Sequence, residues 1–486
     1  MNKPLRRVAI AMMAMVVLLM ANATYVQVIK ADELRNDQRN SRTLYDEYSR
    51  PRGQIIAGGE SLANSTETND NLRFLRNYPG GPAFAPVTGY HSFVYGSNGI
   101  ERAQNDILNG TDDSLAFTRL SDLVTGREPA GADVELTVNP AMQRTAYEQL
   151  TSKGFEGSVV ALDPKTGGIL AMANAPSYDP NRLAGHSAEQ LEQEWNALNS
   201  QEGDPMTNRA VSEIYPPGSS FKMITAAAAL ESGYTPNSPV QAASSITLPN
   251  TNTRLPNYNG NNCGSGSTAP LTEALARSCN TAFAEIAGDV GAEKMRETAA
   301  SFGFGQDLNI PMRVAKSDMG PMEDAAALYQ SGIGQRDVRV TPMQNAMMVS
   351  AIANGGSLMK PELVKRTVAP DKETIDEMDP QKLEQAVSPE VAGQLRDMMV
   401  QSEERTKGSG KIANVEIASK TGTAQHGDAA DQPHGWYVAF APASDPQIAL
   451  AVIVENGGDE GAEATGGSIA APIGREVIRA GLQGGR

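Results

Sequence analysis

The sequence predicts a mixed α/β (α+β) fold in which an antiparallel sheet is sandwiched by helices. Two apolar hairpins, one starting near residue 157 and one near residue 435, predict strands at both ends of the larger part of the chain. Segments rich in alanine and methionine lie between these hairpins and predict helices. An extended, loop-rich N-terminal module and one membrane helix are expected to precede this part.

The membrane helix is predicted at residues 8–29. Lys3, Arg6 and Arg7 precede an apolar stretch that carries no charge before Lys30, and a span needs about 20 residues. A basic flank stays in the cytoplasm, so residues 1–7 are predicted as a cytoplasmic tail. Ala21-Asn22-Ala23 also resembles a signal-peptide cleavage site, which leaves a cleaved signal as the alternative to the favoured anchor. Both interpretations place the remainder outside the cytoplasm, in the favoured case as a single-pass protein of the cell membrane.

Residues 30–153 are predicted to form a separate, extended and loop-rich module. A polar, charged stretch comes first, and a turn at residues 50–53 leads into a short strand. Residues 60–130 are rich in Gly, Asn, Asp and Pro, which predicts short elements joined by loops. A strand at 134–138 and an amphipathic helix at 140–150 close the module.

Residues 154–486 are predicted as a second, larger domain. The arms of its two hairpins are almost wholly apolar, so both faces of the sheet are expected to be covered. The predicted elements are strands at 158–162, 169–173, 435–440 and 448–454, and helices at 219–232, 270–288, 341–354 and 467–482.

Charge and composition exclude several classes of function. The net charge is −16 with no basic run, which excludes a typical nucleic-acid-binding protein. The four histidines are scattered without ligand spacing, so we expect no metal site, and no other cofactor. A hydrophobic content of 40% is sufficient for sizeable cores.

Ser219 and Lys222 form the first chemical motif. They lie one helical turn apart, so both side chains point to the same side of a helix that is predicted to open after Pro217-Gly218. Lysine can activate a serine when burial or a nearby positive charge lowers its pKa. A second S-x-x-K string, at residues 357–360, opens no predicted helix, and we interpret it as a coincidence.

Two further motifs follow in the chain. Ser278 and Asn280 offer a hydroxyl and a carboxamide that can meet one substrate from a bend. The third motif follows the strand-like residues 415–419, and it offers an ammonium group, two hydroxyls and a glycine that lets a ligand approach the backbone. Its residues are Lys420, Thr421, Gly422 and Thr423. A second K-T-G string, at residues 165–167, is interpreted as the turn of the first hairpin.

The ordered set S-x-x-K, S-x-N and K-T-G resembles that of the penicillin-binding transpeptidases and serine β-lactamases. The resemblance extends over about residues 155–480. The N-terminal part, with its anchor, residues 50–55 and Leu136-Thr137-Val138 before Gln143, is similar to class B penicillin-binding proteins, which are peptidoglycan D,D-transpeptidases. In size and layout the chain is similar to the actinobacterial class B enzymes. The resemblance implies that residues 30–153 are a non-catalytic module of the dimerisation or pedestal type and that residues 154–486 are the penicillin-binding transpeptidase domain.

The resemblance implies a role for each residue of the first two motifs. Ser219 would attack the carbonyl of a D-Ala–D-Ala stem peptide and form an acyl-enzyme. Lys222 would act as the base for Ser219, Ser278 would relay protons, and Asn280 would hold the substrate amide. Backbone N–H groups of Ser219 and Thr423 would form the oxyanion hole.

The third motif would bind the substrate. Lys420, Thr421 and Thr423, with Gly422 between them, would hold the terminal carboxylate, and β-lactams would acylate the serine as substrate mimics. Cys279 lies inside the second motif, and we hypothesise that it forms a disulfide with Cys263, the other cysteine of an exported chain. Two unpaired thiols are the alternative.

The predicted function is therefore a membrane-anchored transpeptidase that crosslinks peptidoglycan during division or growth, with a membrane glycan polymerase as partner. One alternative is a β-lactamase-type serine hydrolase, for which a large N-terminal module and an anchor are unneeded. The other is a β-lactam-binding sensor or scaffold of the cell-wall machinery. A sensor would need a cytoplasmic signalling part, and residues 1–7 are too short for one.

Overall fold

The computed structural model describes residues 3–30, 45, 47–126, 128, 130–425 and 432–484. Helix α1 (Lys3–Thr24) continues into a π-helical turn, Tyr25–Ile29. Together they are long and apolar enough to cross a membrane, and their side chains do not pack against the rest of the protein. The helix predicted at 8–29 is thus present, whereas most of the polar stretch predicted after it lies outside the described residues.

The N-terminal module consists of short strands and short helices. Its strands are β1 (Ile55–Ala57), β2 (Glu60–Glu67), β3 (Phe74–Asn77), β4 (His91–Ser92), β5 (Gly96–Ser97) and β6 (Asp133–Leu136). Its helices are α2 (Ala85–Thr88), α3 (Gly99–Ala103), α4 (Asn105–Leu108), α5 (Ala116–Thr125) and α6 (Pro140–Thr151). The strand and the helix predicted at its end are confirmed as β6 and α6, and Asn139 caps α6 by accepting hydrogen bonds from the amides of Ala141 and Met142.

The larger part of the chain carries more and longer elements. Its strands are β7 (Gly157–Leu162), β8 (Ile169–Ala175), β9 (Pro239–Gln241), β10 (Ser245–Thr247), β11 (Arg254–Pro256), β12 (Thr268–Pro270), β13 (Leu308–Asn309), β14 (Arg313–Val314), β15 (Ser357–Met359), β16 (Val364–Val368), β17 (Thr374–Glu377), β18 (Lys382–Gln385), β19 (Ala418–Ala424), β20 (His434–Ala441) and β21 (Ile448–Val454). Its helices are α7 (Ala188–Asn199), α8 (Arg209–Ser212), α9 (Lys222–Glu231), α10 (Leu271–Ala276), α11 (Asn280–Val290), α12 (Ala292–Ser301), α13 (Ala325–Ser331), α14 (Pro342–Ala353), α15 (Pro389–Arg405) and α16 (Ala471–Gly484).

The central sheet has five antiparallel strands in the order β19-β20-β21-β7-β8. The two predicted hairpins are confirmed, and they lie side by side because β21 pairs with β7. Alternate residues of these strands enter two cores. Val159 and Leu450 pack with α6 and α16, whereas Val160 and Ala449 face α14 on the other side. Both faces are therefore covered, as the apolar arms predict.

A second sheet joins strands of the N-terminal part of the chain to strands of the larger part. Its six strands have the order β17-β16-β6-β1-β2-β3. Strand β6 pairs in parallel with β1 and antiparallel with β16. Strands β16 and β17 come more than 200 residues after β6 in the chain. They nevertheless complete the sheet that the N-terminal strands begin.

Three predicted elements differ in the structure. The helix predicted at 270–288 is two helices, α10 and α11, separated at residues 277–279, because Ser278 adopts a left-handed conformation with φ of 60°. The predicted start of the helix at Ser219 is a 3₁₀ turn, Gly218–Phe221, which leads into α9. Strand β19 begins at Ala418, so the third motif lies within the strand and does not follow it.

Candidate active site

Ser219 lies in the 3₁₀ turn at the start of α9. Gly218 donates its amide to the carbonyl of Gly334 at 2.9 Å, and the indole of Trp436 donates to the carbonyl of Pro216 at 3.0 Å. These bonds fix the turn on both sides. Ser219 is partly exposed while Gly218 and Ser220 are buried, so the turn presents one hydroxyl to a ligand.

Lys222 is fully buried one turn later in the chain. Its Nζ donates to the carbonyl of Ser278 at 2.7 Å, to Ser278 Oγ at 3.3 Å and to Asn280 Oδ1 at 2.8 Å. Burial, and after it the positive charge of Lys420, hold the pKa of Lys222 well below its ordinary value. The lowered pKa makes the neutral amine easier to reach, and the neutral amine is the form that accepts a proton.

Ser278 occupies the bend between α10 and α11. Its left-handed backbone is held by local hydrogen bonds from Ser278 and Cys279 to carbonyls of α10, and such strained positions cluster at active sites. Cys279 is joined to Cys263 by a disulfide, with a Cα–Cα distance of 5.9 Å. Asn280 is the first residue of α11. Its Oδ1 accepts from Lys222, and its Nδ2 donates to the carbonyl of Pro256 at 3.0 Å.

Lys420 projects from β19 to the same bend. Its Nζ donates to Ser278 Oγ at 2.9 Å and to the carbonyl of Thr421 at 2.8 Å. Lys420 is 1% exposed, and burial lowers its pKa to about 7. Thr421 and Thr423 of the same strand are partly exposed and stand beside the opening.

Gly422 allows β19 to pack closely on the turn that carries Ser219. A Cβ at position 422 would lie 3.0 Å from the carbonyl oxygen of Pro217 and 3.2 Å from the amide nitrogen of Ser220. A Cβ on Gly218 would lie 2.6 Å from the carbonyl oxygen of Thr423. Glycine at both positions therefore lets the turn and the strand meet, with the residues of the first and third motifs side by side.

The structure brings the three predicted motifs into one site and leaves their second copies elsewhere. Residues 165–167 lie in the turn between β7 and β8, as predicted. Lys165 is exposed there and pairs with Asp445. Ser357 is part of β15 and bonds to Gln385, while Lys360 pairs with Glu362. That S-x-x-K string opens no helix.

Two residues of the site were missed by sequence reasoning. Ser220 turns its hydroxyl inward to the carbonyl of Pro217 at 2.8 Å, and Asn345 of α14 donates to that hydroxyl at 3.3 Å. Asn345 directly follows Gln344 in a buried helix, where a carboxamide needs a partner. A polar residue in so apolar a helix was the signal that could have indicated it.

The functional groups of the site suit covalent acyl transfer. They are a serine, two buried amines, a hydroxyl between the amines and a carboxamide, which together can form and resolve a serine ester. Within the described ranges, no three side chains of His, Cys, Asp or Glu come together as a set of metal ligands.

The fold and this site define a serine acyltransferase of the penicillin-binding type. The family description "Penicillin binding protein transpeptidase domain" matches residues 157–479, and "Penicillin binding protein A dimerisation domain" matches residues 52–134. The chain belongs to the penicillin-binding protein transpeptidase family, in its class B.

Particular relatives are similar along the full chain. The peptidoglycan D,D-transpeptidase PbpA of Mycolicibacterium smegmatis is 50% identical over 100% of both chains, and that of Mycobacterium tuberculosis is 48% identical over 100% of both. The solved ceftriaxone acyl-enzyme of penicillin-binding protein A from M. tuberculosis has a TM-score of 0.89 at 48% identity, and it covers 90% of this chain and 100% of its own. The penicillin G acyl-enzyme of the same protein has a TM-score of 0.86 at 47% identity, with 89% of this chain and 100% of its own covered.

Proposed function

We propose that the protein is a serine-type peptidoglycan D,D-transpeptidase, which joins stem peptides through an acyl-enzyme and is inhibited by β-lactams. The observation that carries the proposal is the meeting of two buried lysines, Lys222 and Lys420, at the hydroxyl of Ser278 beside the partly exposed Ser219. The names of the full-length relatives and the acyl-enzyme structures of a relative support it.

Acylation begins at Ser219. Its Oγ attacks the carbonyl between the last two D-alanines of a donor stem peptide, and the proton passes to the neutral amine of Lys222. Backbone N–H groups of Ser219 and Thr423 stabilise the oxyanion of the tetrahedral intermediate. The C–N bond then breaks, and the proton on Lys222 passes through the Ser278 hydroxyl to the leaving amine of D-alanine.

The third motif recognises the end of the donor peptide. The ammonium group of Lys420 and the hydroxyls of Thr421 and Thr423 bind the terminal carboxylate, and a bound anion favours the charged form of Lys420. Asn280 holds the donor amide with its carboxamide. The β-lactam carboxylate occupies the same place, so a lactam carbonyl is brought to Ser219 in the position of the peptide.

The second half-reaction uses the same groups in reverse. The amine of a second stem peptide attacks the ester carbonyl of the acyl-enzyme, while Lys222 accepts the proton of that amine. The ester C–O bond breaks, Ser219 recovers its proton, and the new amide bond joins the two peptides. Lys222 and Ser219 return to their starting protonation states, and the enzyme is ready for the next donor peptide.

The proposal also places the protein at the membrane. Helix α1 with its extension to Ile29 anchors the chain as a single span, with residues 1–7 in the cytoplasm and the catalytic domain outside. Residues 30–153 form the non-catalytic module and residues 154–486 the transpeptidase domain, although strands β16 and β17 cross between them. A membrane glycan polymerase is the partner that would supply the strands to be joined during division or growth.

A single assay with the full-length protein in detergent micelles tests this function. A synthetic donor peptide ending in D-Ala–D-Ala is incubated with an amine acceptor, and free D-alanine and joined product are measured. We expect both to appear and both to be lost on addition of penicillin or in Ser219→Ala. Repeated hydrolysis of penicillin would indicate the β-lactamase alternative, whereas penicillin binding without either product would indicate a sensor or scaffold.

A further inference from the structure

Four buried side chains form a cluster behind β19, on the side away from Ser219. These side chains, which we call the back-strand cluster, are Glu403, Ser419, Tyr437 and Arg475. None of them has a part in the acyl transfer described above. We propose that the back-strand cluster positions β19 for recognition of the substrate carboxylate, an inference that rests on the proposed function.

Glu403 is the centre of the cluster. It lies near the end of α15, and its Oε1 accepts from Arg475 Nε at 2.8 Å and forms an ion pair with Arg475 Nη2 at 2.7 Å. Its Oε2 accepts from the hydroxyl of Ser419 and, at 3.1 Å, from that of Tyr437. One carboxylate thus holds a residue of β19, a residue of β20 and a residue of α16.

Arg475 connects the cluster to the loop that follows α15. It is fully buried in α16, and its guanidinium also donates to a row of backbone carbonyls. These are the carbonyls of Thr406, Lys407, Gly408 and Ser409, at 3.4, 3.2, 2.9 and 2.9 Å. The planar fork of arginine suits this pattern, since lysine offers a single ammonium group. The cluster therefore fixes the start of the segment that leads into β19.

The alternation of a strand connects this cluster to the active site. Ser419 and Lys420 are neighbours in β19, so their side chains point to opposite faces. Ser419 reaches back to Glu403, whereas Lys420 reaches forward to Ser278. A shift of β19 that breaks the first contact must also move Lys420, Thr421 and Thr423.

The position of β19 in the central sheet explains why the contact between Ser419 and Glu403 stabilises it. Among the described residues it is an edge strand whose ladder runs to β20 alone. The Glu403 carboxylate binds both strands of this ladder, because Ser419 belongs to β19 and Tyr437 to β20. Burial raises the pKa of Tyr437 well above its ordinary value, so its hydroxyl remains a donor to the carboxylate.

A test of positioning must separate it from general loss of stability. The second-order rate constant of acylation is measured for a penicillin and for its methyl ester, which lacks the charged carboxylate. Their ratio reports recognition by β19, because a smaller folded fraction lowers both constants equally. The variants are Ser419→Ala, Tyr437→Phe and Glu403→Gln, measured in the full chain in detergent micelles.

Glu101→Gln is the matched control. Glu101 is also a buried carboxylate, which accepts from Arg52 and Arg76 at 2.6 Å each and from Tyr78 at 3.1 Å. It belongs to the N-terminal module, and the side chains that bond to it in the described part of the chain belong to that module as well. Its loss should lower the melting temperature and leave the acid-to-ester ratio unchanged.

We expect the ratio to fall about tenfold in Glu403→Gln and less in Ser419→Ala and Tyr437→Phe, in the range of one to two lost hydrogen bonds. The dissociation constant of the non-covalent penicillin complex should rise more than the limiting acylation rate falls. An unchanged ratio in all three variants would overturn the positioning role alone. Absence of acylation in the unaltered protein would overturn the proposed function as well.

Discussion

Lys222 and Lys420 donate to one common acceptor, the hydroxyl of Ser278, at 3.3 and 2.9 Å. Both amines are buried, and the described residues provide no carboxylate contact to either. Burial lowers the pKa of each, and the charge of Lys420 lowers that of Lys222 further. In the proposed mechanism Lys222 is the base on one side of Ser278, and Lys420 on the other side binds the substrate carboxylate.

Loss of the amine at position 222 should stop acylation without loss of the fold. We expect Lys222→Ala to reduce the second-order rate constant for penicillin acylation about 10²- to 10⁴-fold, the range of general base catalysis. Stopped-flow measurement with a fluorescent penicillin checks it. Lys165→Ala is the control, because that lysine belongs to the second K-T-G string and pairs with Asp445 on the surface. Similar rates in both variants would exclude Lys222 as the base.

The buried Lys420 should make stability depend on pH. Its folded-state pKa of about 7 lies below the ordinary value of 10.5, so between these values the unfolded chain binds more protons. The free energy of unfolding therefore rises with pH in this window, by up to about 1.4 kcal/mol per pH unit for one lysine. Chemical denaturation in micelles from pH 7 to 9.5 measures the slope. Lys420→Met should give a smaller slope, and an equal slope would contradict the depressed pKa.

The disulfide should stabilise the bend that carries Ser278 and Asn280. Thiol titration of the denatured, unreduced protein should find no free thiol, and two after reduction. Closing a loop of this length contributes on the order of 3 kcal/mol, so Cys263→Ser should lower the melting temperature. Cys279→Ser and the double variant should lower it by a similar amount, because each removes the same bond. Two reactive thiols before reduction would disprove the bridge.

Gly334 should be required for the turn that presents Ser219. Its φ is +72°, and a Cβ there would lie 2.1 Å from the carbonyl oxygen of Gly218. We expect Gly334→Ala to abolish penicillin labelling. Gly305→Ala is the control, since Gly305 has a φ of +78° and a Cβ there would point into open space. It should cost about 1 kcal/mol of stability and keep labelling. Normal labelling of Gly334→Ala would show that the turn tolerates displacement.

Four of the five strands of the central sheet, β7, β8, β20 and β21, could be predicted because they are almost uninterrupted apolar runs. The pairing of β6 with β16 could not, since residues 133–136 and 364–368 are distant in the chain and neither carries a local signal for the other. The split between α10 and α11 was also missed. Its break falls at Ser278, and neither proline nor glycine marks the position.

The meeting of the three short motifs could be predicted from their order, but the contacts between them could not. The hydrogen bond from Lys222 to the carbonyl of Ser278 depends on the left-handed conformation of Ser278, which no glycine indicates in the sequence. The contacts of Glu403 could not be predicted from the sequence for a different reason. A glutamate near the end of a polar helix is normally solvated, and the partners of Glu403, which are Ser419, Tyr437 and Arg475, all belong to elements that come later in the chain.

Ser219 is the proposed nucleophile, and mass spectrometry of the penicillin adduct tests this assignment directly. The intact protein should gain one penicillin, and the modified peptide should contain Ser219. Ser219→Ala should gain none, while Ser357→Ala, the variant of the second S-x-x-K string, should be modified as fully as the unaltered protein. An adduct on Ser219→Ala, or one that maps to another residue, would contradict the assignment.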